Sequence, residues 1–126
     1  MDAFRLTDLV ASEALPSISA ANTAAATSGN SQWTDVSIYE GDIAMVINCG
    51  AVTGSLTPKL QCADDANGTN ATDITGATIA ALSAHGVGLI VIDKRAATKK
   101  YVGVVGTVVT GPVLFGAVLL GRKKYP

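Results

Sequence analysis

Charge is scarce in this chain. Of its 126 residues only 15% are Asp, Glu, Lys or Arg, and they nearly cancel, leaving a formal net charge of −1. A chain so balanced has no basic footprint for nucleic acid and no acidic field for steering cations. Histidine occurs once, as His85 in a Gly-flanked turn, and with no Cys or Asp partner in a motif it reads as a surface residue rather than a base or ligand. No Ser nucleophile elbow, phosphate-cradling Gly loop or metal-ligand spacing is present. Asp64, Asp65, Asn67 and Asp73 offer oxygens, but without the spacing of a Ca²⁺ loop. Catalysis therefore has little material, and neither an enzyme nor a cofactor is expected.

The start, Met1-Asp2-Ala3-Phe4-Arg5, lacks the basic segment and apolar block of a secretory signal. Synthesis in a cytoplasm, with thiols kept reduced, is expected. The two sequons at Asn67 and Asn70 then read as polar loop residues.

What the chain has in quantity is apolar surface. Hydrophobic residues make up 48%, enough for one domain that buries roughly two thirds of its unfolded surface. With so few long charged side chains to keep a monomer apart from its neighbours, the composition favours an assembly subunit over a freely diffusing enzyme. The decisive stretch is Val102–Gly121, which holds no charged side chain and would pass a hydropathy window as a membrane span. It also holds five Gly and the turn cluster Thr110-Gly111-Pro112, which a membrane helix tolerates badly. Its valines suit extended structure instead, so Tyr101–Val109 and Val113–Arg122 are predicted as two neighbouring strands forming a hairpin.

Residues 1–33 have a different texture, dominated by Ala, Ser, Thr and Asn from Ser17 to Ser31. They read as an extended arm carrying a short strand around Ile18–Ala26, with Phe4, Leu6, Leu9, Val10 and Leu15 as its apolar anchors and Pro16 breaking any helix. Residues 34–126 form the domain. Strands are predicted at Asp35–Tyr39 and Ile43–Cys49, with a reversal at Gly50–Gly54. A half-solvated strand follows at Ser55–Ala63, where Pro58 marks an edge or a bulge. Asp64–Asp73 is a polar, mobile loop. Ile74 and Ala77–Leu82 resume extended structure, although Thr78–Leu82 also suits a helical turn. The unbroken run in Gly88–Asp93 reads as a central strand covered on both faces. Seven or eight strands without a confident helix define an all-β, antiparallel two-sheet sandwich.

If Ile43–Cys49 and Ser55–Ala63 pair as a hairpin, Cys49 and Cys62 stand about 23 Å apart at roughly 3.3 Å per residue, too far for a disulfide. Two buried free thiols are predicted. Trp33, Tyr39 and Tyr101 read as core or interface anchors rather than a sugar-stacking platform. Lys94, Arg95, Lys99, Lys100, Arg122, Lys123 and Lys124 fall at strand ends, either as solubilising charges or as one basic rim facing an acidic partner.

Four segments carry a family resemblance. They are Tyr39-Glu40-Gly41-Asp42, then Gly-Ala-Val-Thr-Gly-Ser-Leu-Thr-Pro-Lys-Leu from Gly50 to Leu60, then Thr72-Asp73-Ile74-Thr75-Gly76-Ala77, and Tyr101 through Leu120-Gly121-Arg122-Lys123-Lys124-Tyr125. Over residues 35–125 this pattern of strand and turn residues resembles the capsid decoration, or cement, proteins of tailed bacteriophages. The resemblance implies a jelly-roll-like β-sandwich that attaches to the outside of an assembled head in the virion, itself assembled in the host bacterial cytoplasm. It implies the major capsid protein as partner, self-association as a dimer or trimer, and no part for nucleic acid or a membrane. The arm lies outside the resemblance; its composition makes Phe4, Leu6, Leu9 and Val10 the expected contact residues. A glycan-binding sandwich and a membrane-inserted virion protein are the alternatives.

Overall fold

The computed structural model describes residues 9–19, 25–27 and 32–124. Its strands are β1 (Leu9–Ser19), β2 (Ala25–Thr27), β3 (Thr34–Asp35), β4 (Tyr39–Val52), β5 (Ser55–Ala63), β6 (Thr72–Thr78), β7 (Gly86–Asp93), β8 (Tyr101–Val109) and β9 (Val113–Lys123). One 3₁₀ turn, Lys94–Ala96, is capped by the Asp93 carboxylate, which accepts from the Arg95 N–H. All pairing is antiparallel. The first sheet has the order β1-β9-β4-β7; the second runs β2-β8-β5-β6, with β3 beside β2 on the same edge of β8.

Apart from β5–β6, and β2–β3 along one edge, each connection between consecutive strands changes sheet. That alternation between the orders β1-β9-β4-β7 and β2-β8-β5-β6 is a jelly roll, and the all-β sandwich expected from the strand count is what forms. Alternate residues of each strand meet in the middle. Tyr39, Ile43, Met45 and Ile47 of β4 pack with Phe115 and Leu119 of β9, against Leu56 and Leu60 of β5 and Val102 and Val104 of β8. Each such side chain contributes about 1.5–3 kcal/mol of transfer free energy.

The apolar stretch Val102–Gly121 is indeed two strands, and among the described residues no helix is long and apolar enough to cross a membrane. They do not form a hairpin. β8 belongs to the second sheet and β9 to the first, and Thr110-Gly111-Pro112 carries the chain from one to the other. Ile43–Cys49 and Ser55–Ala63 are likewise parted, because Thr53-Gly54 is a second such corner. The two corners abut: Thr53 N–H donates to the Pro112 carbonyl at 3.1 Å, and a Cβ on Gly54 would lie 2.0 Å from the Val109 carbonyl oxygen, so only Gly fits.

Several boundaries move for local reasons. The chain turns at Ser37-Ile38, where Asp35 accepts from the Ser37 N–H and hydroxyl, so Asp35–Tyr39 is not one strand. β6 stops at Thr78, and Leu82 makes only a single bridge to Leu56. The Leu56 N–H donates to Leu82, so two residues on the Pro58 nitrogen faces the same side, just beyond the last β5–β6 pair, Lys59–Thr78. Pro58 therefore sits where β6 has ended rather than at the expected edge or bulge: β5 lies between β8 and β6, and the irregularity of the β5–β6 ladder falls between Lys59 and Gln61, with the extra residues in β6. Strand pairing also runs across the expected division at residue 33. Of the short strand expected around Ile18–Ala26, residues 20–24 lie outside the described residues; Ile18 and Ser19 end β1 and Ala25 and Ala26 begin β2, and these two strands join different sheets.

Trp33 is buried between two glycines: a Cβ on Gly103 would meet its ring at 2.5 Å and one on Gly68 at 2.6 Å. Tyr39 is buried over Gly121, and Tyr101 alone of the three is half exposed, with Lys100 Nζ 5.7 Å from its ring centre. Cys49 and Cys62 are both buried and unbridged, but they lie in different sheets rather than across one hairpin. Burial pushes the Cys49 thiol up. At Cys62 burial acts the same way, but hydrogen bonds with the Thr72 and Thr98 hydroxyls outweigh it and hold the thiol below its usual value.

Two outcomes follow from this packing. Gly103→Ala should destabilise the fold by about 1–3 kcal/mol in denaturant titration and shift the emission of Trp33, the single tryptophan, to longer wavelength. A thiol reagent should label no cysteine quickly in the native chain and both in denaturant, with intact mass showing no intramolecular disulfide.

Candidate interaction surface

The two outer faces of the sandwich differ in kind. On the second sheet, Thr57, Lys59 and Gln61 of β5 point outward, and Asp73 of β6 ties Lys59 to Gln61. Gln61 Nε2 donates to Asp73 at 2.8 Å and Lys59 Nζ lies 3.0 Å from the same carboxylate. This is the polar, hydrated face expected of a half-solvated antiparallel sheet.

The first sheet has no such covering. Residues that face each other across antiparallel strands share a face, so the register reads out rows. Leu89, Val46 and Val118 form one row across β7, β4 and β9; Val91, Ala44 and Leu120 form the next; Val87, Asn48 and Gly116 form the third. No charged side chain stands in these rows across β7, β4 and β9; the first row ends at Glu13 of β1, opposite Val118. Exposure is high for such residues: Val87 68%, Leu89 54%, Val91 51%, Leu114 46% and Val118 37%. Three strands about 4.8 Å apart and some eight residues long present roughly 400 Å² of sheet face, as large as the functional patches of single chains.

β7 was expected to be a central strand covered on both faces, and this is corrected by its place at the edge with Val87, Leu89 and Val91 outward. The segment covered on both sides is Val102–Gly106 of β8, with Trp33 lying on the outer side of Gly103. The signal was present in the sequence. An unbroken apolar run has either two covered faces or one covered and one adhesive, and spacing alone does not separate them.

Of the expected contact residues, Leu9 and Val10 lie in β1, opposite Arg122 and Gly121 on the other edge of this same sheet. Phe4 and Leu6 lie outside the described residues. The basic rim is largely paired off: Arg95 with Asp93 at 2.8 Å, Lys100 with Asp35 at 3.4 Å, Lys99 with Asp64 and Arg122 with Glu40 at 3.7 Å. Lys123 and Lys124 line a shallow depression of about 370 Å³ with Ser37 and Ile38, and the neighbouring Lys124 holds the Lys94 ammonium below its usual range.

The loop after β5 is closed on itself. Asp65 accepts from the N–H groups of Asn67 and Thr69 and from the Thr69 hydroxyl, Asp64 accepts from Asn70 Nδ2, and Lys99 Nζ donates to the Asn70 carbonyl. Its carboxylates are occupied in shaping the loop, and no group of side chains among the described residues is placed to hold a metal ion. His85 is exposed in the turn before β7.

Fold and face together define a jelly-roll β-sandwich with one polar flank and one bare apolar flank. No protein-family model matches the chain, and no curated protein matches it in sequence. Among solved structures it is similar to a chain in the structure of infectious bursal disease virus, Gx strain, with a TM-score of 0.44 and 16% identity over 94% of this chain and 33% of that one. The present chain thus spans about a third of that protein's length. The likeness concerns the fold alone.

The Asp93–Arg95 contact allows a pH test. Hydrogen bonds from the Arg95 side chain and N–H hold the Asp93 carboxyl down at about 2, below its ordinary 3.8. A carboxylate with a lowered folded-state value supports the fold above about pH 4 and loses that support as pH falls through about 2. Carbon-detected titration should show Asp93 protonating near 2 in the native chain and closer to its ordinary value in Arg95→Ala.

Proposed function

We propose that this chain is a structural protein of a virion, which docks on the outside of an assembled tailed-phage head and cements adjacent copies of the major capsid protein. The observation that carries the reading is the uncharged outer face that β7, β4 and β9 share around Leu89, Val46 and Val118. A bare face of this size on a chain without a catalytic constellation among its described residues favours adhesion over chemistry. The pattern of residues 35–125, similar to phage decoration proteins, supplies the kind of surface it adheres to.

The work follows from linkage. A protein that binds the expanded shell, and not the unexpanded one, stabilises the expanded form by mass action and needs no active site. In this reading the partners are the major capsid protein and copies of the chain itself, as a dimer or trimer, with neither nucleic acid nor a membrane involved. Leu9 and Val10, in β1 at the far edge of the sheet, and Phe4 and Leu6 before it in the sequence add to the contact. A glycan-binding role has less support, because Trp33 and Tyr39 are buried and the three aromatics share no exposed face.

The purified chain should co-sediment with expanded heads built from the major capsid protein of the same virus and not with unexpanded ones. Val46→Lys, on the outer face between Leu89 and Val118, should leave the core intact and weaken binding by roughly tenfold or more, since an unpaired ammonium is costly to bury. Deleting residues 1–8, which leaves β1 whole, should also lower occupancy. Undiminished binding by Val46→Lys would overturn the docking face.

A further inference from the structure

We infer that two copies of this chain join through their β7 edges about a two-fold axis, making one continuous sheet of the two first sheets. The two edges of that sheet are not alike. β1 carries Pro16 and Glu13 and has two irregularities in its register with β9, all features that discourage a further strand from pairing. β7 carries none of them. From Gly86 to Ile92 it has no proline and no charge, and its ladder with β4 runs without a break from Asp42–Asp93 to Cys49–Gly86. Among the described residues β4 is its only strand partner, so one row of backbone donors and acceptors faces outward unused. An open edge of this kind takes another strand, with main-chain hydrogen bonds for affinity and side-chain rows for register.

The sequence of β7 suits a second copy as that strand. A two-fold axis normal to the sheet keeps both apolar faces on one side, and facing residues must then share a face. The register that pairs the whole run from Gly86 to Ile92 centres on Leu89. Leu89 faces Leu89 of the second copy and Val87 faces Val91, so the exposed side chains meet one another. The same register sets His85 level with Asp93 of the other copy, a hydrogen-bond donor against a carboxylate.

Area points the same way, and this part of the argument rests on the docking reading above. One face of roughly 400 Å² falls short of the roughly 800 Å² per partner of a stable interface. Two faces joined edge to edge reach about that area.

The test uses the purified full chain with no heads present, so its failure rejects the seam without touching the docking face. Sedimentation equilibrium should show a monomer–dimer equilibrium. Leu89→Lys, at a half-exposed position, should keep the native circular dichroism and weaken the dimer by roughly tenfold or more, because the axis brings two ammonium groups together. Mixing Leu89→Lys with Leu89→Glu should restore it. Leu89→Cys treated with diamide should form an intermolecular disulfide, since facing Cα atoms lie within the about 7 Å that a bridge allows. A wild-type chain that stays monomeric overturns the proposal. So does a dimer that the Lys variant leaves intact, or one whose Cys variant does not cross-link, because either means that copies meet elsewhere.

Discussion

Burial of the two inner sheet faces against each other is the interaction on which everything else rests. Tyr39, Met45, Phe115 and Leu119 on one side and Leu56, Leu60 and Val104 on the other are almost wholly removed from water. The exposed ion pairs at the strand ends add little by comparison, about 0–1 kcal/mol each. With the core supplying the stability, the outer faces are free to differ. One became a hydrated lattice of Thr, Lys, Gln and Asp; the other kept its valines and leucines.

That asymmetry links composition to role. A chain with little charge and much apolar surface has two ways to hide it, inside a core or against a neighbour. The core takes one residue in two along β4, β7 and β9, and the residues between them remain outside as a flat patch crossed by regular rows. Rigid strands place those rows without any cost of ordering a loop.

Much of the architecture was legible in the sequence. The alternation of Ser55–Ala63, the β-branched texture of residues 101–122 and the turn at Thr110–Pro112 located strands to within a residue or two. The burial of both thiols and of Trp33 and Tyr39 also followed from residue type. Strand partners were not legible. A period of two says which side of a strand is wet but not which sheet the strand joins, so two inter-sheet corners looked like hairpins. The same limit concealed the candidate face: Leu89-Ile90-Val91-Ile92 reads as doubly covered until the sheet order puts β7 at the edge of the described strands.

The strand order also bears on how the molecule comes to exist. β9, built from residues 113–123, lies between β1 and β4, so the first sheet has a gap in its middle until that segment has been made. A nascent chain that stops short of it holds β1 and β4 with no strand to join them, their apolar rows bare to the ribosome's surroundings. Assembly therefore waits on late synthesis, and long-range pairing of this sort is slow and exposed to aggregation. The interval between the making of β4 and the arrival of β9 is when chaperone holding matters most.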